Sequence, residues 1–207
     1  MRSYPEDGPQ IRISVSFAVL TTLALLLDKS GITGFAVLCV ALHELGHLAM
    51  MRLRRVHVAG IYFQPFGMEI SIKGHVDYRS ECLISLAGPL TNVAVSAVCM
   101  GFYALAPSVW LANFGVCSLL LGGFHLLPVK GLDGGNAILS FFAGTQRRET
   151  AERLVQAVSY LTIALLFLAG VGVLLVTKYN VTVLALCVYL ALPLHSERRG
   201  IRLKSLS

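Results

Sequence analysis

Long apolar stretches alternate with short polar ones along almost the whole chain. Ile13 to Leu27 is apolar apart from a few Ser and Thr, and Asp28-Lys29 closes it. Gly31 to Met51 follows and ends in Arg52, Arg54 and Arg55. Cys82 to Ala106 holds no charge at all, and Pro107 terminates it. Val109 to Val129 has His125 as its only ionisable group. Leu154 to Thr177 and the shorter Val181 to Leu194 complete the series. A helix needs ~20 apolar residues to cross a bilayer. The pattern therefore predicts six transmembrane helices, the sixth below the usual length. No small-residue cleavage pattern follows the first run, so it reads as a retained span, not a signal peptide.

The connecting segments differ in character. Residues 1–10 are polar, contain Pro5, Gly8 and Pro9, and read as a loose tail. Between about 56 and 78, two short runs flank Gln64-Pro65-Phe66-Gly67, and Met68-Glu69-Ile70-Ser71-Ile72-Lys73 alternates strictly. Period-two alternation around a Pro-Phe-Gly turn predicts a β-hairpin lying against the bilayer surface; a solvated loop is the competing reading. A short apolar helix is expected at about Asn136–Ala143. The charged run Arg147, Arg148, Glu149, Glu152, Arg153 reads as a solvated loop or helix start, and residues 196–207 form a basic tail. The fold class is thus an all-α membrane protein, six transmembrane helices with a small membrane-associated hairpin between the second and third. Residues 1–207 read as one polytopic domain, with a core at about 31–145 and accessory helices at about 154–195.

Composition sharpens this. The chain is 56% hydrophobic and 14% charged, with a mean hydropathy of +0.72; soluble domains carry about 25% charged residues. The net charge of +6 does not point to nucleic acid, because the basic residues fall in loops between apolar runs. Cys39, Cys82, Cys99, Cys117 and Cys187 all lie in or beside apolar segments. An odd number of cysteines in such places predicts packed, reduced thiols. With six spans and a cytoplasmic N-terminus, 15 Lys and Arg fall inside and two, Lys29 and Lys178, outside. This follows the positive-inside rule and sets both termini in the cytoplasm.

Within the second run lies His43-Glu44-Leu45-Gly46-His47. On a helix, His43 and His47 are one turn apart and share a face, so both imidazoles can reach one ion. Glu44 stands about 100° around the axis from His43, placed to handle water at that ion. Ionisable groups at membrane depth are costly and point to function. The pattern is short and chance matches occur, so a third ligand decides. The second and fourth spans run in the same direction. His47 lies five residues before Arg52, about 8 Å from the cytoplasmic end at 1.5 Å per residue. Asp133 follows the fourth span at that same end, flanked by Gly131, Gly134 and Gly135, which permit sharp turns and close packing. His43, His47 and Asp133 make a two-His, one-carboxylate zinc set with an open fourth position. His57, His75 and Glu69 belong to the hairpin, His195 to the interface, and His125 ranks below Asp133 as a ligand.

Three motifs occur in order: His43-Glu44-Leu45-Gly46-His47, Ala87-Gly88-Pro89-Leu90-Thr91-Asn92, and Leu126-Leu127-Pro128 followed by Leu132-Asp133-Gly134-Gly135. Together, over roughly residues 31–145, they resemble the site-2 protease family of intramembrane zinc metalloproteases. The chain looks like the compact bacterial branch, similar to the sporulation protease that processes a sigma-factor precursor. The resemblance implies one zinc ion on His43, His47 and Asp133, with Glu44 as general base. It implies that Asn92 positions substrate or stabilises the intermediate. Where the family has Asn in N-x-x-P, this chain has His125, which can donate to an oxyanion or simply pack. The implied partners are a transmembrane or membrane-tethered protein substrate and the lipid bilayer, with a membrane regulatory protein as the further partner to seek and no nucleic acid. The implied location is a bacterial cell membrane. The alternatives are a catalytically inactive relative and a metal-binding scaffold or transporter. Bare spans disfavour the transporter, and retention of all four groups disfavours the inactive relative.

Overall fold

The computed structural model describes residues 10–28, 30–64, 67–74, 76–178, 183–188 and 190–191. They fall into two compact units, Met1–Phe124 and His125–Ser207. Element order is β1 Gln10–Ile13, α1 Val15–Leu27, α2 Ile32–Leu53, β2 His57–Gln64, β3 Gly67–Lys73, α3 Tyr78–Leu105, α4 Val109–His125, α5 Asp133–Phe142 and α6 Arg148–Thr177.

The expected hairpin is present as β2 and β3, antiparallel, with Tyr62 opposite Glu69 and Phe63 opposite Met68. A register shift between Val58 and Gly60 marks a bulge. The structure adds a strand that the sequence did not reveal: β1 pairs parallel to β2, Gln10 opposite Gly60 and Ile13 opposite Phe63. A side chain at Gly60 would crowd the Gln10 carbonyl, so the glycine admits the added strand. Ser14 then joins sheet to helix. Its amide donates to the Phe63 carbonyl at 3.0 Å, and its hydroxyl caps α1 by accepting from the Phe17 amide at 3.1 Å.

Caps set the other helix ends in the first unit. Asp28 accepts from the Thr33 amide at 2.6 Å and so satisfies a free amide in the first turn of α2. Ser30's hydroxyl, with the Thr33 and Ser30 amides, holds its carboxyl well below the usual carboxylate range. At the far end of α2, Val56 N–H bonds Met51 C=O and Arg55 N–H bonds Arg52 C=O. This is a Schellman closure, with Arg55 rather than glycine in the left-handed region at φ 57°. Asp77 caps α3 through the Ser80 amide at 3.1 Å.

Three helices pack in this unit. α3 is antiparallel to α2, as Arg54–Ser80 and His47–Ile84 show. α4 runs parallel to α2, as the contacts of Phe35 with Trp110 and of Cys39 Sγ with the Phe114 carbonyl show. Many buried positions are small or polar, among them Gly46, Ser85, Gly88, Asn92, Ser96, Gly115 and Ser118. Large apolar side chains face outward; Leu105 is 83% exposed. Small residues between helices and apolar ones outside are the arrangement of a protein dissolved in lipid.

In the second unit, α5 packs on α6, and Lys130 N–H bonds the buried Ser159 hydroxyl at 2.8 Å. Residues 183–188 and 190–191 are helical and run back along α6, with Leu184 against Gly170 and Cys187 near the Ile163 carbonyl.

Among the described residues, α2, α3 and α6 are long and apolar enough to cross a membrane. α1 and α4, with 13 and 17 residues, are shorter. The expected sixth span lies partly outside the described residues, so three of the six expected spans are supported by length. All five cysteines are free thiols, as expected.

Candidate metal centre

The face that α2 turns toward α3 carries His43 and His47, 2% and 8% exposed. Their rings meet edge to face, 4.8 Å between centroids, and their Nε2 atoms approach to 3.1 Å. His47 Nδ1 lies 2.7 Å from the Ile84 carbonyl. A carbonyl only accepts, so Nδ1 carries the hydrogen and Nε2 of His47 is left with its lone pair. Beyond His43, Nδ1 faces the Asn92 amide at 3.4 Å.

α3 is shaped to receive this pair. Ile84, Gly88 and Asn92 are spaced four apart, one stripe of a helix, and lie against His47 and His43 in antiparallel order. A side chain at Gly88 would occupy the space of the His47 imidazole. One at Gly46 would strike Thr91 and the Ala87 carbonyl. Pro89 stands inside the helix, where a missing N–H releases the carbonyl one turn earlier. From behind, α4 braces Asn92: Ser118 Oγ donates to its carbonyl at 3.0 Å, and Gly122 lies against its Cβ. Glu44 is half-buried on the same helix as the histidines.

The second unit opens on His125 and places Asp133 as the first residue of α5. The intervening turn is closed by Val129 N–H to Leu127 C=O and Leu132 N–H to Val129 C=O, with Gly131 at φ +89°. Gly134 and Gly135 lie against the carbonyls of Leu126 and Val129, where any Cβ would overlap. The glycines thus permit close approach, as the sequence suggested, but they do so inside a helix that starts three residues earlier than expected. α5's N-terminus favours a charged carboxylate at Asp133. His125 Nδ1 lies 2.8 Å from Asp133 Oδ2, so Nδ1 carries the hydrogen and donates to the carboxylate.

The donor chemistry fits zinc, which takes imidazole nitrogen and carboxylate oxygen. Two buried Nε2 atoms directed at one another leave room for a single hydrogen between them. A cation instead takes both lone pairs.

The structure thus pairs His43 with His47 and Asn92, and His125 with Asp133. His57 is exposed at the start of β2, Glu69 lies in β3, and His75 and His195 lie outside the described residues. Ile84 was missed by the sequence reading, and Gly88 was named only within its motif, without its role against His47. Their four-residue spacing with Asn92, complementary to that of His43 and His47, was the available signal.

No family model matches the chain. Among curated proteins, stage IV sporulation protein FB of Bacillus subtilis is 27% identical over 167 residues, covering 79% of this chain and 57% of that protein. A zinc metalloprotease of Methanocaldococcus jannaschii is 31% identical over 109 residues, 49% of this chain and 32% of that one. The chain therefore spans less than two thirds of the length of these relatives. Among solved structures, the site-2 protease from Methanocaldococcus jannaschii matches with a TM-score of 0.64 at 18% identity, covering 93% of this chain and 92% of that one.

Proposed function

Because the chain is a member of the site-2 protease family, we propose that it is a zinc metalloendopeptidase that cleaves transmembrane or membrane-tethered proteins near the cytoplasmic face, in regulated intramembrane proteolysis. In this reading His43 and His47 hold one zinc ion with Asp133, and Glu44 is the general base. The observation that carries it is the buried convergence of His43 and His47 Nε2 at 3.1 Å, within a helical motif that also supplies a carboxylate.

When bound, zinc supplies a Lewis acid that acidifies water and polarises a carbonyl. Glu44 takes the proton of the attacking water and returns it to the leaving amine. The Ile84 carbonyl holds the His47 ring in one tautomer. His125 donates through Nδ1 to Asp133 and so orients that carboxylate. A helical substrate hides its peptide bonds in i→i−4 pairing and must unwind locally. β3 lies at the edge of the sheet order β1-β2-β3, where an extended substrate adds as a strand. Small buried residues and outward apolar ones support a membrane protein; the topology proposed for it in the cell membrane is six spans with both termini cytoplasmic. The lipid bilayer and a membrane regulatory protein complete the proposed partners.

The test is proteomics of membrane fragments in cells carrying wild-type or Glu44→Gln protein. Fragments that depend on Glu44 are the expected result. Identical fragment sets would overturn the reading.

A further inference from the structure

Asn92 has no solvent exposure, and its Oδ1 is buried without a hydrogen-bond partner. The other end of the same amide, Nδ2, faces His43 Nδ1 at 3.4 Å. His43 Nε2 in turn faces His47 Nε2, whose hydrogen is on the far nitrogen, against Ile84. These contacts fit the following proton arrangement of neutral rings without metal. His43 carries its hydrogen on Nε2 and donates it to His47, and its bare Nδ1 accepts from the Asn92 amide.

Metal binding demands the opposite arrangement. A neutral imidazole has one N–H. If His43 gives the Nε2 lone pair to an ion, its hydrogen sits on Nδ1, where it meets a donor that cannot accept it. The amide's only side-chain acceptor is Oδ1, the atom that lacks a partner. A half-turn about the Cβ–Cγ bond exchanges the two ends.

We propose that Asn92 is a positioning residue for His43: its amide turns over on metal binding, and Oδ1 then accepts the Nδ1 hydrogen, holding His43 in the tautomer whose Nε2 faces the ion. This rests on the metalloprotease reading and gives Asn92 a role through His43, not on substrate. Ser118 and Gly122 brace the backbone and Cβ of Asn92, so the amide can turn without moving the helix. Partners of this kind on metal-bound histidines are worth about 10–100-fold in metal affinity.

The experiment measures zinc affinity of the full chain in detergent by chelator competition, for wild type, Asn92→Asp and Asn92→Leu. Asp keeps two acceptors and no donor; Leu keeps the shape and neither. The expected result is that Asn92→Asp binds zinc as tightly as wild type or tighter, while Asn92→Leu binds about 10–100-fold more weakly. Nitrogen-15 spectra of the wild-type His43 ring are expected to move the hydrogen from Nε2 to Nδ1 when zinc is added. Weak binding by folded Asn92→Asp, or a His43 tautomer unchanged by zinc, overturns the proposal even if the Leu variant fails to fold. A wild-type chain that binds no zinc overturns the metalloprotease reading itself.

Discussion

The imidazole of His47 lies in the space that a side chain at Gly88 would fill. α3 therefore gives up a Cβ so that α2 can bury an imidazole. Gly88→Ala is expected to displace His47, since overpacking a tight contact costs about 1–3 kcal/mol. Zinc affinity falls by about 10-fold or more, because ~1.4 kcal/mol is one decade. Gly101 is on the same helix with nothing within 4 Å of an added Cβ. Gly101→Ala is expected to bind zinc normally and to gain about 0.5–1 kcal/mol in helix stability. Chelator competition on the two variants checks both statements. Equal zinc binding would refute the seat.

Glu44 is half-buried beside the histidines and is assigned the proton-transfer step, not the metal. Glu44→Gln is expected to lower cleavage of a co-expressed membrane substrate by about 10²-fold or more while zinc content stays at one per chain. His43→Ala and His47→Ala are expected to lose both. Metal analysis beside a cleavage assay separates the roles, and a Glu44→Gln protein that cleaves at the wild-type rate removes the general base.

Arg55 adopts the left-handed conformation at φ 57° to close α2. A non-glycine residue there costs roughly 1–2 kcal/mol, of which glycine's greater unfolded-state freedom offsets about 0.4–1. Arg55→Gly is expected to raise stability by about 0.5–1 kcal/mol, seen as a higher thermal midpoint in detergent. A lower midpoint would mean that the arginine head makes a contact worth more than the strain.

Local pattern carried much of this fold. The strict alternation over Met68 to Lys73 announced β3, and the i, i+4 spacing of His43 and His47 announced one face of α2. β1 was hidden because its four residues abut the apolar run that becomes α1, and a parallel partner fifty residues away leaves no local trace. α6 begins at Arg148, ahead of its apolar part, and within that charged run exposed Arg148 and Glu152 pair one turn apart at 2.9 Å. α5 begins at Asp133, where two glycines with poor helix propensity concealed a first turn set by tight packing on the preceding loop. The seat for the histidines was obscured for the same reason. Ile84 and Gly88 matter only through the helix opposite, and a carbonyl or a missing Cβ carries no chemical signature in one sequence.

Asp77 caps α3 at its exposed end, and the Ser80 hydroxyl and amide hold its carboxyl below the ordinary 3.8. A carboxyl with a lowered folded value binds its proton more weakly folded than unfolded. Its contribution is therefore complete above about 3.8 and is lost as pH falls through the lower folded value. Asn at this position keeps a capping oxygen without the charge. Asp77→Asn is expected to lower the thermal midpoint slightly at pH 6 and to narrow that gap steadily below pH 3.8. Taking the difference between the two proteins removes the titration of every other acid. Ser80 also accepts from Arg54 Nε at 2.8 Å, so the cap is joined to the α2 terminus and both helix ends should loosen together in acid. Hydrogen exchange at the Ser80 and Glu81 amides checks this. A difference in midpoint that does not change with pH would show that the charge on Asp77 contributes nothing to the cap.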